Sequence, residues 1–524
     1  MATAEEEPGW EAVAEALGSG SLLGVDSGQI DRFETHISLV VVSGDEVFKL
    51  KKPVSFGYLD YGSRSQRKRM CKLEVELNRR LAPDLYLGVR GVRGDGKFEF
   101  CDADDPAAVE HLVVMRYVDR RDMLDRRVDR VEVQPSDLAA VGRRVGEFHR
   151  EARPVSPPAG EPRVVAAWVE ERIAAVGRAP DGVLDPARVD AASAFVRRCV
   201  AVNARRLEAR VREGFIRDGH GDLRLEHVVL GDPVRVIDCV EFDDALRAHD
   251  VQSDLSFLAM ELQLAEREDL TRALLAAWAE VAGPVDDKLL WMYACARALV
   301  RIEVALSRLD QLPPGFARRV VEERAAALLD LSVRLSWRAR RPRTLIFAGL
   351  SGSGKSSLSR VLSARWGLER FSSDEARKRL VGLGRDQVAP PAAYEDWVSL
   401  EVYQRLGRDA GREVAAGRCA VVDATFRRPV DAQAFVRAFR SAGALEPPIT
   451  LACMAADDTL RDRVRQRAEL GGSDAGLDVL EAQLRDRGEL SVGISNALEV
   501  STEPGFHDVL ATIEHLATEE TVAW

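Results

Sequence analysis

Apolar and polar positions divide the chain into a strand-rich part, a helical part and a second part in which strands and helices alternate. Short alternating or apolar runs predict strands at 36–42 (HISLVVV) and 46–52 (EVFKLKK), and further strands in DLYLGVRGV and EHLVVMRYV. One helix is predicted among them, at residues 63–81, where Met70, Leu73 and Leu77 recur at helical spacing behind Ser63 or Ser65 as the N-cap. The pattern up to about residue 118 therefore predicts a β-rich lobe that carries one helix.

From Ser136 to about Trp337 the pattern is helical, with one β-like interruption at 220–243. The segment WRARRPR (337–343) contains a proline and ends this region, and TLIFAGL (344–350) follows it as a buried strand. The runs RFSSD, CAVVDAT and PITLACM then alternate with helical stretches, which indicates a parallel α/β sheet. We predict a first domain at 1–336, a linker at 337–343 and a second domain at 344–524.

Composition narrows the classes of function. A length of 524 residues with 46% hydrophobic and 30% charged residues is typical of a globular protein of several compact units. The net charge of −11 gives no overall basic field to hold nucleic acid, so that partner is not favoured. No apolar run reaches about 18 residues, and the acidic N-terminus lacks a signal-peptide core. Seven scattered cysteines favour reduced thiols, so we expect a cytoplasmic protein without a membrane partner.

The strongest motif begins at Gly349, where GLSGSGKS fits G-x-x-x-x-G-K-[ST] directly after a predicted strand and before a predicted helix. Backbone N–H groups of such a loop surround phosphate oxygens, the lysine reaches the β- and γ-phosphates, and the serine hydroxyl can ligate Mg²⁺. We therefore predict ATP and Mg²⁺ as cofactors. The predicted ATP-binding residues are Gly349, Ser351, Gly352, Ser353, Gly354, Lys355, Ser356 and Ser357, with Ser356 also a metal ligand.

Two further strand ends supply carboxylates to this site. Asp374 ends the run FSSD, where ligands of open α/β sheets collect, and Arg377 follows one helical turn later. Asp374 could accept the proton of an acceptor hydroxyl and Arg377 could hold a phosphate oxygen, although an N-capping aspartate with a solvated arginine fits the same pattern. Asp423 ends CAVVDAT, the usual place for a carboxylate that supports Mg²⁺, or for a helix cap.

These residues resemble the P-loop kinase superfamily, in the branch that holds polynucleotide kinases, zeta-type toxins and small-molecule kinases. The resemblance covers about residues 343–524 and rests on GLSGSGKSS, SSDEARK and VVDAT. It implies a doubly wound parallel sheet and a role for Asp374 in activating the acceptor hydroxyl. The acceptor is not implied, because members phosphorylate sugars, nucleic-acid ends and antibiotics.

A second set of motifs lies in the first domain. HGDLRLEH compares with the kinase loop H-x-D-x-x-x-x-N, with Asp222 at the base position and His227 where asparagine belongs. VIDCVEF then places Asp238 after an apolar strand, as a Mg²⁺ ligand would be. Lys49 on EVFKLKK and Glu74 on the following helix have the order of the lysine and glutamate that position ATP, with Glu76 as a competing partner. We predict Lys49 and Glu74 as ATP-binding and Asp238 with His227 as metal ligands.

The first domain resembles the aminoglycoside phosphotransferase-like fold, over about residues 25–335. This implies a bilobal protein-kinase-like structure with an N-lobe at about 25–118 and a helical C-lobe at about 119–336. FKLKKPVSFGYLDYG and LNRRLAPDLYLGV resemble a bacterial two-domain family in which such a domain is fused to a P-loop kinase. Two departures are notable: no G-x-G-x-x-G precedes Lys49, and an imidazole at His227 is a poorer ligand than oxygen for Mg²⁺.

Together these patterns predict a mixed fold, α/β and α+β, and an ATP-dependent phosphotransferase with two nucleotide sites that acts on small-molecule hydroxyls. Asp222 and Asp374 are the predicted bases. Two alternatives stay open: a regulatory protein with a non-catalytic first domain and a P-loop switch, and a kinase of nucleic-acid 5′ ends. The sequence does not define the acceptor or the oligomeric state. His220, Asp250 and Asp254 are expected to support the loop and a helix rather than to react.

Overall fold

The computed structural model describes residues 9–522 except 57–58, 95, 341, 385–386, 470–475, 486–496 and 504. Packing divides the chain into two compact units, each assembled from two segments. The first unit is Met1–Val164 with Arg206–Asp286, and the second is Val165–Arg205 with Asp287–Trp524. Within the described residues, no helix is long and apolar enough to cross a membrane. All seven cysteines are free thiols.

The described elements are numbered in chain order. Strands β1 to β17 are Ile30–Glu34, Ser38–Ser43, Glu46–Lys51, Ser55–Phe56, Leu59–Asp60, Tyr86–Arg93, Glu99–Asp102, Glu110–Arg116, Ile216–Asp218, Val228–Val229, Arg235–Val236, Ala248–Asp250, Thr344–Ala348, Glu369–Ser372, Ala420–Asp423, Ile449–Met454 and Ala497–Ser501. Helices α1 to α19 are Trp10–Gly18, Arg64–Asn78, Leu124–Asp129, Pro135–Glu151, Pro162–Val176, Pro186–Val202, Ala204–Arg212, Asp244–Arg247, Val251–Leu264, Glu268–Ala282, Asp287–Leu309, Phe316–Ala339, Lys355–Trp366, Ser373–Leu380, Asp396–Ala415, Pro429–Ser441, Asp457–Glu469, Leu477–Arg485 and Phe506–Val522.

The first unit contains a six-stranded antiparallel sheet in the order β1-β2-β3-β8-β6-β7. Because side chains alternate along a strand, Phe48 and Leu50 of β3 enter one core together with α1, and Lys49 and Lys51 leave from the opposite face. Helix α2 begins where the sequence predicted it, since the Ser63 side chain accepts a hydrogen bond from the Gln66 N–H.

Two short antiparallel ladders hold the β-like interruption of the first unit in place. β9 pairs with β12, and β10 pairs with β11 so that Val228 lies opposite Val236. The β10 and β11 pairing brings the residue before β10, His227, to the same end of the ladder as Asp238, two residues beyond Val236. The loop before β10, which carries His227, and the loop after β11, which carries Asp238, are therefore neighbours.

The second unit contains a five-stranded sheet in the order β14-β15-β13-β16-β17, and all of its described pairs are parallel. This confirms the parallel sheet that the sequence predicts. In its register Phe347 and Ser372 both lie beside Asp423. The carboxyl ends of β13, β14 and β15 thus reach one edge of the sheet, at the start of the glycine-rich loop.

Helix α13, which follows that loop, is held at its far end by residues from both predicted domains. The Trp366 ring lies 4.4 Å from the Trp337 ring between centroids, and Arg365 pairs with Asp185 at 3.3 Å and with Glu514 at 3.1 Å. Residues 337–339 form the last turn of α12. The division at 336 and 344 stays a prediction, since in the second unit the packing joins residues on both sides of 337–343.

Candidate active sites

In the first unit, Lys49 connects two carboxylates that are distant in sequence. Its Nζ lies 2.9 Å from Glu74 Oε1 and 3.2 Å from Asp238 Oδ1, whereas Glu76 is exposed. Burial disfavours the Lys49 ammonium, but Glu74 and Asp238 outweigh it and raise the pKa of Lys49 well above its ordinary value. Lys49 in turn lowers the pKa of Asp238. Both shifts favour the charged forms, an ammonium on Lys49 beside a carboxylate on Asp238.

Asp222 belongs to a loop that is fixed by buried neighbours. Asp254 accepts hydrogen bonds from the backbone N–H groups of His220, at 2.5 Å, and Gly221, at 3.0 Å. His220 Nε2–H donates to the Ile237 carbonyl, so its Nδ1 accepts from the Asp222 N–H. Burial lowers the pKa of His220 to about 4, which keeps the ring neutral in this bonding pattern. The Asp222 carboxylate itself stays about one-third exposed, as an acceptor-facing base requires.

His227 lies between the Asp222 loop and Asp238. Its Nδ1 donates to the Asp222 carbonyl at 2.8 Å, so in the neutral ring Nε2 carries the lone pair. This Nε2 lies 3.6 Å from Asp238 Oδ2. A lone pair facing a carboxylate is repulsive unless a proton or a cation lies between them, so either a proton on Nε2 or a cation shared with Asp238 satisfies this contact.

Sequence reasoning gave no role to a second set of polar side chains beneath Lys49. Lys51 is buried and donates to Glu74 Oε2 at 2.6 Å and to Glu241 Oε1 at 2.5 Å. The Tyr61 hydroxyl also donates to Glu241. The available signals were the scarcity of lysine, with nine in the chain, and the spacing of two between Lys49 and Lys51.

In the second unit, neighbouring backbone packs closely against the glycine-rich loop and leaves no room for side chains at two of its glycines. A Cβ on Gly352, whose φ is +81°, would lie 2.6 Å from the Leu460 carbonyl, and one on Gly349 would lie 2.6 Å from the Cys453 carbonyl. The Ser353 hydroxyl is buried and has no hydrogen-bond partner among the described residues. A cradle that only glycine can form, with an unpaired polar group in it, fits a phosphate group.

The side chains of Lys355 and Ser356, which follow this loop, lie near the carboxyl end of strand β15. Lys355 Nζ lies 3.4 Å from the Leu350 carbonyl, and burial lowers the pKa of Lys355. The Ser356 hydroxyl donates to Asp423 Oδ1 at 3.2 Å, while Asp423 Oδ2 lies 3.6 Å from Arg370. Ser356 and Asp423, 67 residues apart, thus form a pair of oxygen groups next to Lys355.

The remaining predicted residues of the second unit have different surroundings. Asp374 lies in the first turn of α14, with its side chain about half exposed and 3.5 Å from Lys378. Arg377 is buried: it donates to the Ala393 carbonyl at 2.6 Å and covers the Tyr394 ring. Its guanidinium is therefore engaged with the segment Pro391–Tyr394.

Three predicted ATP-binding residues of the second unit remain. Gly354, with a φ of +81°, is the N-cap residue of α13. The Ser351 N–H donates to Gln483 of α18, at 2.9 Å, and Ser357 is exposed in the first turn of α13. The Gln483 contact brings α18 against the loop, and the sequence offered no motif that would have indicated it.

Comparison with known proteins identifies the family. The uncharacterized proteins Rv2004c of Mycobacterium tuberculosis and Mb2027c of Mycobacterium bovis are each 31% identical to this chain over 468 residues, which is 86% of this chain and 89% of theirs. The chain belongs to their family. The model of the phosphotransferase enzyme family matches residues 64–284, and a model described as an AAA domain matches residues 345–490. The family resemblance stated from the sequence, a phosphotransferase domain followed by a P-loop domain, is confirmed.

The solved structures compared with this family member each cover only a share of its chain. A choline/ethanolamine kinase family protein from Mesorhizobium loti is 16% identical and covers 62% of this chain and 94% of its own, with a TM-score of 0.39. A gluconokinase from Sinorhizobium meliloti is 19% identical and covers 34% of this chain and 92% of its own, with a TM-score of 0.24. The fold class, protein-kinase-like in the N-terminal part and a P-loop parallel sheet in the C-terminal part, is confirmed by the sheets and the family models.

Each candidate site of this family member has two candidate metal ligands from the protein. Among the described residues, no group of three or more His, Cys, Asp or Glu side chains lies close enough together to hold a metal ion. Mg²⁺ in phosphotransferases is bound by one or two carboxylates together with substrate phosphates and water. The pairs Asp238 with His227 and Ser356 with Asp423 match that requirement rather than a closed metal site.

Proposed function

We propose that the protein is an ATP-dependent phosphotransferase with two nucleotide sites, each transferring the γ-phosphoryl group of ATP to a hydroxyl of a small molecule. The observation that carries the proposal is the contact of one lysine, Lys49, with two carboxylates 25 and 189 residues away. The phosphotransferase family match at residues 64–284, which includes Glu74 and Asp238 but begins after Lys49, supports it. A net charge of −11 does not favour a nucleic-acid acceptor.

At the first site, Lys49 binds ATP phosphate oxygens and Glu74 orients its ammonium. Asp222 accepts the proton of the acceptor hydroxyl while the new oxygen–phosphorus bond forms and the bond to ADP breaks. Asp238 and His227 would hold Mg²⁺, which neutralises phosphate charge when it is bound. Positioning and charge neutralisation supply most of the rate in such a site.

At the second site, the backbone of the glycine-rich loop and Lys355 bind the phosphates, and Ser356 with Asp423 would hold Mg²⁺. Asp374 accepts the acceptor proton, since its carboxylate is exposed at the start of α14. Arg377 was predicted to hold a phosphate oxygen. Because its guanidinium is bonded to the Ala393 carbonyl, we now propose that Arg377, one helical turn after Asp374 on α14, positions the segment Pro391–Tyr394.

A second candidate is favoured by His227. An imidazole in place of an amide oxygen weakens Mg²⁺ binding, so the first unit would bind nucleotide without transferring phosphate and the second would act alone. This candidate predicts that turnover depends on Asp374 and not on Asp222.

The test is acceptor-dependent ADP release by the full chain, screened with aminoglycosides, sugars, nucleosides, choline and 5′-hydroxyl oligonucleotides. The proposal predicts that Asp222→Asn and Asp374→Asn each remove turnover with a different acceptor, and that Glu76→Gln, at an exposed position of α2, changes neither. If neither Asp222→Asn nor Asp374→Asn lowers turnover, the proposal is refuted. If phosphate is transferred to the 5′ ends of the oligonucleotides, the acceptor is a nucleic acid and not a small molecule.

A further inference from the structure

A second buried ion-pair network lies beneath the first nucleotide site. Strand β3 places Lys51 two residues after Lys49, on the same face of the sheet. Glu74 on α2 accepts from both lysines, with Oε1 2.9 Å from Lys49 Nζ and Oε2 2.6 Å from Lys51 Nζ. Each oxygen of this carboxylate therefore has its own ammonium.

Lys51 also forms an ion pair with Glu241, in the loop that contains Asp238. Its Nζ lies 2.5 Å from Glu241 Oε1 and 3.3 Å from the Tyr61 hydroxyl, and Tyr61 donates to the same Glu241 oxygen. Glu241 follows Asp238 by three residues. Lys51 thus connects α2 to this loop through two direct contacts.

The charges of this network balance without the nucleotide. Lys49 and Lys51 compensate Glu74 and Glu241, and Lys51 and Tyr61 are fully buried. Although burial opposes its charged form, the attraction of Glu241 and Glu74 raises the pKa of Lys51 well above its ordinary value. Asp238 is the additional negative charge, and its side chain is 53% exposed. The Asp238 carboxylate, paired with Lys49 through one oxygen, is therefore the part of this charge cluster that a ligand can reach.

The loop is also fixed by its backbone. The Asp238 residue has a φ of +63°, and its N–H donates to the Tyr86 hydroxyl at 3.2 Å. The Cys239 N–H donates to Asn78 of α2 at 2.9 Å. Besides the contact of Asp238 with Lys49, Glu241 is a second point at which charge anchors this loop, because its carboxylate is bonded to Lys51.

We propose that Lys51, Tyr61 and Glu241 are positioning residues that fix Glu74 and Asp238 in their ATP-binding arrangement before any ligand is present. Helix α2 cannot withdraw Glu74 without leaving Lys51, which is fully buried, with one partner fewer. The first site is therefore assembled before a ligand binds, and we infer that α2 is held in place by these contacts rather than by a partner protein or a modification. This inference rests on the proposed nucleotide-binding function of the first unit.

The test measures the dissociation constant of Mg·ATP by calorimetry in the full chain carrying Lys355→Ala, which silences the second site. In that background we compare Lys51→Met, Glu241→Gln and the double variant, with Lys52→Met as the matched control, since Lys52 makes a surface pair with Glu34. The same titrations are repeated with ATP and EDTA, and thermal stability is recorded for every variant.

We expect Lys51→Met to lower stability, because it leaves two buried carboxylates undercompensated, and the double variant to recover most of that loss. We expect the double variant to bind Mg·ATP at least tenfold more weakly than the parent background does. We also expect it to bind ATP equally well with Mg²⁺ and with EDTA, whereas the parent binds ATP more tightly with Mg²⁺. Lys52→Met retains the parent values. A double variant with recovered stability and parental Mg·ATP affinity would overturn the positioning role. No binding in the parent background would instead refute the proposed function.

Discussion

Substitution of Asp254 tests how much this residue stabilises the loop that carries Asp222 in the first unit. The carboxylate is fully buried, and its two oxygens accept from the backbone N–H groups of His220 and Gly221. Asp254→Asn retains one acceptor oxygen and turns an amide donor toward the other N–H. One charge-assisted hydrogen bond is lost, which costs about 1.5–3 kcal/mol, and the attraction of His249, whose Nε2 is 3.0 Å away, is reduced as well.

We therefore expect a loss of about 2–4 kcal/mol in the unfolding free energy of the first unit. For a unit of its size this corresponds to a fall of roughly 4–16 °C in its melting temperature. Because a displacement of about 1 Å in a reacting group can cost about 100-fold in rate, turnover that depends on Asp222 should fall by a similar factor. Scanning calorimetry and acceptor-dependent ADP release measure the two effects.

Asp269→Asn is the control, because Asp269 is a surface partner of Arg267 with 45% of its side chain exposed. A surface pair contributes about 0–1 kcal/mol, so this variant should melt within about 4 °C of the parent. Equal shifts for the Asp254 and Asp269 variants would refute the argument that Asp254 supports the loop.

Three further predictions concern the metal, the phosphate loop and pH. His227→Asn should raise the ratio of Mg²⁺-supported to Mn²⁺-supported turnover, since an amide oxygen suits Mg²⁺ better; an unchanged ratio of initial rates would contradict a metal-facing His227. Gly352→Ala should weaken nucleotide binding to the second unit at least tenfold in calorimetry, whereas Gly382→Ala, also at positive φ but with open space around it, should not; equal affinities would argue against the cradle. Burial lowers the pKa of His220 from 6.5 to about 4, so its stabilising contribution is complete above pH 6.5 and is lost as the pH falls toward 4. The melting temperature of the first unit should therefore fall between pH 7 and pH 5, and a constant value would contradict a neutral, buried His220.

The sequence was informative where a motif is local. The glycine-rich loop, its strand and its helix lie within 25 residues, and the parallel register then brings Asp423 to Ser356 as expected for such a sheet. The loop from His220 to His227 also has a recognisable spacing, which predicted its proximity to Asp238. In these cases the chemistry is encoded in neighbouring positions.

Contacts between distant segments could not be predicted in the same way. Lys51 meets Glu241 across 190 positions, and no periodicity distinguishes a buried lysine at a strand end from a solvated one. The engagement of Arg377 with Ala393 depends on where a short turn packs, which the pattern of apolar residues does not specify. The contact of Trp337 with Trp366 likewise joins a residue of the predicted linker at 337–343 to a helix of the second predicted domain.

The central claim, two separate nucleotide sites in one chain, is tested most directly by the stoichiometry of Mg·ADP binding in titration calorimetry. We predict two bound nucleotides per chain. Lys49→Met should remove one and Lys355→Met the other, and the double variant should bind none. A single bound nucleotide in the parent chain, or a stoichiometry of two that persists in the double variant, would contradict the account.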